Sequence, residues 1–149
     1  MEKLHEGGFL ISKIRQITER IFDKKLKNYS IDLNAAQGRI IFSLWQNDNV
    51  PIIELARRTA LGKTTLTSML ERLEKSGHII RKVDTAGDKR QTLIALSDKI
   101  KSIESRHEAV SKEMAALFYK GLSEKEIAIF EKTLRHILSN LVDFEQEQK

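Results

Sequence analysis

The chain has 149 residues, 32% of them charged and 40% apolar, with one proline, seven glycines and no cysteine. That composition fits one globular domain with a sizeable core and excludes low complexity, disulfides, thiol nucleophiles and thiol redox sensing. The net charge is +5, with nine basic and five acidic groups in residues 51–92, the local basicity that attends nucleic-acid binding and that a solvated basic face would also show.

The first periodic segment runs from about Gly8 to Asn28, where Leu10, Ile14, Ile17 and Ile21 recur at helical spacing beside Phe9, Ile11 and Phe22. Its opening lacks the long apolar core and cleavage site of a signal peptide. No run in the chain approaches the roughly 18 apolar residues of a membrane span. A cytoplasmic chain with no membrane partner is expected. Asn34 is placed to cap a second helix, with Ile40, Ile41, Leu44 and Trp45 facing inward. The turn residues "QNDN" end it. Pro51 suits the first turn of a short third helix, whose buried side is Ile52, Leu55 and Ala56 and whose end lies near Ala60. Gly62 starts a fourth helix with an apolar stripe of Leu66, Met69, Leu70 and Leu73, and Gly77 is placed to end it in a left-handed cap.

The period then changes to two. "HIIRKVD" and "QTLIALS" are strand-like runs, and the polar turn "TAGDKR" between them predicts an antiparallel hairpin. After Ser97 a helix carries Ile100, Ile103, His107, Val110, Met114 and Leu117. Gly121 stops it. Ser123 and Glu126 then form a capping-box pattern for a last helix with Ile127, Phe130, Leu134, Ile137, Leu141 and Phe144 inward.

The stretch Gly62-Lys63-Thr64 matches the end of a phosphate-binding loop. That motif needs a glycine five positions earlier and a buried strand before it. Position 57 is Arg57, and the preceding residues have helical spacing, so a nucleotide-binding loop is rejected. The order helix, tight turn, helix and hairpin is instead that of a winged helix-turn-helix, whose second helix enters the DNA major groove. Its exposed start carries Lys63, Thr64, Thr65, Thr67 and Ser68. Hydroxyls bond to phosphates or bases and lysine to phosphate or guanine, whereas a merely solvated face would favour Glu and Lys pairs. The plainer alternative is that Thr64 and Thr65 only start the helix. Asp88, Lys89 and Arg90 at the hairpin tip suit the minor groove, with Asp88 orienting the Arg90 guanidinium. A solvated charged turn is the alternative there.

The stretch "ELARRTALGKTTLTSMLERLEKSGHIIRKVDTAGDKRQTLIALS" resembles the core of the MarR family of winged-helix transcriptional regulators. The match is strongest in "LERLEKSGHI", with Leu70, Leu73, Glu74 and Gly77 in place, and in Asp88-x-Arg90. The resemblance implies a mainly α fold with a small β-hairpin wing. Residues 33–97 would form the winged helix-turn-helix and 98–118 a connecting helix. Residues 1–32 and 119–149 would form dimerisation helices, all within one domain. It implies a homodimer on a roughly palindromic double-stranded DNA operator, released by a small aromatic or anionic ligand, and acting as a repressor. Two departures stand out. Family members often carry serine where this chain has Gly62, and arginine where it has Ser68, so base contact at position 68 is in question.

Trp45 lies near the end of the second helix, where the resemblance places the effector pocket, and also reads as a core residue. His5, His78, His107 and His136 have no second histidine four residues away and no cysteine ligand, so no metal and no cofactor are expected. No catalytic set is found. The competing functional reading is a winged-helix protein-interaction module that does not bind DNA, which would need neither Arg90 nor the hydroxyl cluster.

Overall fold

A computed structural model describes residues 2–87 and 91–149. The chain forms two compact units, residues 1–111 and 112–149.

The first unit opens with α1 (Gly7–Asn28), which ends at the left-handed Ser30. Of its residues only Leu26 is buried, and Phe9, Leu10, Ile11, Ile14 and Ile17 stand exposed. The predicted amphipathic helix is therefore present, with the apolar side chains of its first half exposed and Ile21 and Phe22 half-buried. α2 (Ala35–Gln46) starts with a capping box: the Asn34 side chain accepts from Gln37 N–H, and the Gln37 side chain accepts from Asn34 N–H. Ile40, Ile41 and Leu44 are fully buried as expected, and Trp45 is half-buried.

The strand β1 (Val50–Pro51) was not legible in the sequence. Pro51 is the last residue before α3 (Ile52–Thr59) rather than part of its first turn. α4 (Lys63–Lys75) follows after a three-residue turn. It closes as predicted. Gly77 takes φ +79°, its N–H bonds to Glu74 O, and His78 N–H reaches back to Leu73 O. This paired closure needs a left-handed residue at position 77, which glycine supplies without a Cβ penalty.

β2 (Ile79–Val83) and β3 (Thr92–Leu96) form the expected antiparallel hairpin, with Ile79 opposite Leu96 and Val83 opposite Thr92. β3 is the central strand, because β1 pairs with its other edge at Val50↔Ile94 and Pro51↔Leu93. Leu55, Leu66, Leu70, Leu73, Ile79, Ile94 and Ile100 are all essentially inaccessible and make the core that fixes the helices to the sheet. Each such side chain contributes about 1.5–3 kcal/mol relative to exposure.

The single helix expected after Ser97 is two. α5 (Asp98–Lys101) is capped by the Ser97 hydroxyl and stops where the Ser102 hydroxyl donates to Lys99 O. A serine that bonds to a carbonyl in the preceding turn competes with helix continuation. α6 (Glu104–Phe118) then begins.

In the second unit, α7 (Glu124–Glu147) starts with the predicted Ser123/Glu126 capping box. Phe118, Tyr119 and Phe130 form a ring cluster with centroids 5.0 to 6.3 Å apart, and Tyr119 Oη donates to Glu131 at 2.8 Å. No residue of α7 is buried. Among the described residues no helix is long and apolar enough to cross a membrane.

Candidate nucleic-acid interface

Three buried leucines, Leu66, Leu70 and Leu73, hold one side of α4 against the core, so the opposite side must face outward. Lys63, Thr64, Thr65 and Ser68 are exposed. Thr67 is half-buried, so it presents less of its side chain than the exposed start implied in the sequence. Met69, expected in the buried stripe, is half-buried too. The helix begins at Gly62, which is extended and offers no side chain to cap the first amides. The amides of the first turn and the positive end of the helix dipole therefore stand beside Lys63 and two hydroxyls, an arrangement suited to a phosphate.

The turn before it is tightly tied. Thr59 Oγ1 donates to Leu55 O at 2.8 Å and accepts from Leu61 N–H at 3.4 Å. Ala60 sits in the left-handed region at φ 55° and ψ 23°. On α3 the Glu54 carboxylate receives both Arg57, at 2.5 Å, and Arg58, at 3.1 Å. The Arg57 hydrogen bond foremost, with Arg58 beside it, pulls the Glu54 pKa down to about 2. Arg58 also donates to Asn47 O, joining the end of α3 to the end of α2. Arg81 on β2 bonds to Glu74 on α4 at 3.2 Å, linking the hairpin to α4. The predicted wing residues Asp88, Lys89 and Arg90 lie outside the described residues. Of the residues leading to them, Asp84 accepts from Gly87 N–H and its own N–H reaches Gln91 O.

Hollows lie elsewhere in the first unit. Trp45 lines a small one of about 130 Å³ with Phe42, Glu104, His107, Glu108 and Ser111. Its ring centroid is 4.4 Å from that of His107, and Phe22 meets His107 from the other element at 6.1 Å. Trp45 Nε1 and His107 Nε2 are buried with no hydrogen-bond partner among the described residues. Burial pushes the His107 pKa down to about 4, so the ring is neutral at ordinary pH. A larger groove of about 670 Å³ is lined by Arg15, Arg39, Phe42, Ser43, Arg58 and the turn Thr59, Ala60 and Leu61. Arg15 and Arg39 share Glu19, at 3.3 and 2.7 Å, and the buried Ser43 hydroxyl has no partner among the described residues. This groove is not legible in the sequence, because its three arginines come from three separate helices. Among the described residues no group of histidines and carboxylates has the geometry of a metal site.

Residues 33–92 match the model of the MarR family. The HTH-type transcriptional regulator TtmR of Methylorubrum extorquens (strain PA1) is 28% identical over 116 residues, which is 78% of this chain. The chain spans only 54% of that relative's length. SarZ of Staphylococcus haemolyticus (strain JCSC1435), also an HTH-type transcriptional regulator, is 28% identical over 76% of this chain and 75% of its own. A mutant MarR from E. coli, solved in complex with operator DNA, superposes with a TM-score of 0.76 at 27% identity, covering 92% of this chain and 99% of that one. The transcriptional regulator SlyA shares the fold at a TM-score of 0.86 and 21% identity, over 97% of this chain and all of its own.

Proposed function

We propose that this chain, whose residues 33–92 match the model of the MarR family, is a winged helix-turn-helix transcriptional regulator of that family, a cytoplasmic homodimer that represses transcription by occupying a roughly palindromic DNA operator. The observation that carries the proposal is the uncapped, exposed first turn of α4, held outward by three buried leucines. Lys63, Thr64 and Thr65 contact phosphates at the groove edge. Thr67, further along the same helix, reaches base edges, with the exposed Ser68 beside it on the side that meets DNA. Asp88, Lys89 and Arg90 carry the wing into the flanking minor groove. The operator complex of the E. coli relative supports this assignment.

The residues that hold two copies together come from 1–32 and 119–149. The exposed Phe9, Ile14 and Ile17 of α1 and Leu141 and Phe144 of α7 supply the apolar surface that a second copy would cover. A small aromatic or anionic ligand releases the DNA. Trp45 contributes an aromatic wall to its site, and the neighbouring arginine groove, which touches the turn before α4, supplies charge.

Selection from a random duplex pool, followed by anisotropy titration, tests the reading. Enrichment of one inverted repeat is expected. Failure to enrich any sequence, with no binding to random duplex at low salt, would return the protein to the interaction-module reading.

A further inference from the structure

The wing is attached to the rest of the winged helix along two edges. On the β2 side the attachment is covalent and short: α4 runs through the Gly77 turn into β2, and Ser97 Oγ and Lys99 Nζ bond to Gly77 O and Ser76 O. On the β3 side the chain runs through Ser97 into α5, and the strand beside β3 among the described residues is β1, two residues long, whose Pro51 has no N–H to donate. β3 is held by the burial of Ile94, Ala95 and Leu96, while its outer edge has no backbone ladder partner at Leu96.

Asp48 closes that gap. The register Val50↔Ile94 places position 48 directly opposite Leu96, two residues beyond the end of β1. The Asp48 side chain, rather than its backbone, takes the ladder position there. Its Oδ1 accepts from Leu96 N–H at 2.9 Å and from Asn49 N–H, also at 2.9 Å. Asn49 lies in the left-handed region at φ 55°, which turns the chain into β1 and keeps the carboxylate on the strand edge. Asp48 is half-buried, and the adjacent Asn47 carbonyl receives Arg58 from α3. One loop thus joins the end of α2, the end of α3 and the middle strand of the wing. Bonds to an ionised acceptor are roughly twice as strong as neutral ones.

We propose that Asp48 is a positioning residue for DNA binding: by pinning β3 to the α2–α3 corner it sets the angle of the wing relative to α4. This rests on the DNA-binding reading above. Its consequence is specific. Loss of the carboxylate would leave α4 in place while the wing loses its fixed distance from the major groove.

The test uses the full chain on the selected duplex, with Asp48→Ala and Asp48→Asn, by anisotropy and hydroxyl-radical footprinting, and hydrogen exchange of the free proteins. Asp48→Ala should bind about tenfold more weakly, the size of one charge-assisted bond. It should lose protection in the outer flanks and keep it at the centre of each half-site. Its β3 amides should exchange faster than those of α4. Asp48→Asn keeps an oxygen acceptor and should recover to within about threefold of the original protein. Affinity of Asp48→Ala within twofold of the original would overturn the proposal. So would flank and centre protection fading together with no rescue by Asn, which marks a purely structural role. An original protein that protects no duplex would sink the DNA-binding reading itself, and the exchange data would still report whether Asp48 pins β3.

Discussion

Two helices with similar sequence patterns, α4 and α7, have opposite fates. α4 is 13 residues long and buries three leucines completely. α7 is 24 residues long, carries Ile137, Leu141 and Phe144 at the same spacing, and buries nothing. Hydrophobic periodicity says that a helix has an apolar face and is silent on what covers it. In α4 the covering is supplied by residues of the same unit, so its polar side is fixed and can be read as a site. In α7 the described residues supply no such covering, and Ile137, Leu141 and Phe144 stand exposed.

The sharpest contrast is between truncations on the two helices. Leu70→Ala should destabilise by about 2–5 kcal/mol, through lost transfer energy and the cavity left behind, in urea unfolding. Leu141→Asp with Phe144→Asp should leave the helical circular-dichroism signal intact and convert the sedimenting species to one of 17.1 kDa. A double variant that unfolds instead would mean that α7 belongs to the core after all.

The next effect tests how dry the first unit's interior is. His107 has a folded pKa of about 4 against an ordinary 6.5, so the unfolded chain binds its proton more tightly. Stability from this group is complete above pH 6.5 and is lost as the pH falls towards 4. The loss is on the order of 3 kcal/mol by the linkage relation. Thermal unfolding between pH 7 and 4 should show that slope, and His107→Phe should flatten it. An equal slope in both proteins would place the titration elsewhere.

On the outward side of α4 the effects are smaller and divide by role. Lys63→Ala should weaken binding on operator and scrambled duplex alike and reduce the slope of log affinity against log salt by about one per site. Thr67→Ala should cost roughly 1 kcal/mol on the operator and little on the scrambled sequence. Its half-buried side chain makes this the more exacting of the two tests, since an equal loss on both duplexes would mean that it supports the helix rather than reads bases. The smallest effect lies in the turn before α4. Ala60 holds φ 55°, a conformation that costs an L-residue about 1–2 kcal/mol. Ala60→Gly relieves that and loosens the unfolded chain, so a net gain of about 0.5–1 kcal/mol is expected in the melting curve. A loss would show that the alanine methyl packs.

Much of the fold was legible because its signals are local. Gly77, the Asn34 and Ser123 caps, the switch to period two at Ile79 and the leucine stripe of α4 each act within a few residues. What was not legible depends on distant partners. β1 exists only because Ile94 and Leu93 lie beside Val50 and Pro51, and no two-residue strand announces itself. Asp48 reads as one letter in a polar turn until Leu96, 48 positions on, is placed opposite it. The arginine groove is assembled from α1, α2 and α3. The break at Ser102 was missed because the apolar spacing of Ile100 and Ile103 continues across it.

Trp45 is the chain's one tryptophan, and it stands face to edge with His107 where α2 meets α6. Light absorbed by this indole is therefore emitted from a single known place. A protonated imidazole quenches a neighbouring indole and a neutral one does so far less, so brightness reports the charge on His107 and colour reports water at the small hollow. The molecule carries its own lamp at the seam between two helices, and any movement of that seam is visible without attaching a dye.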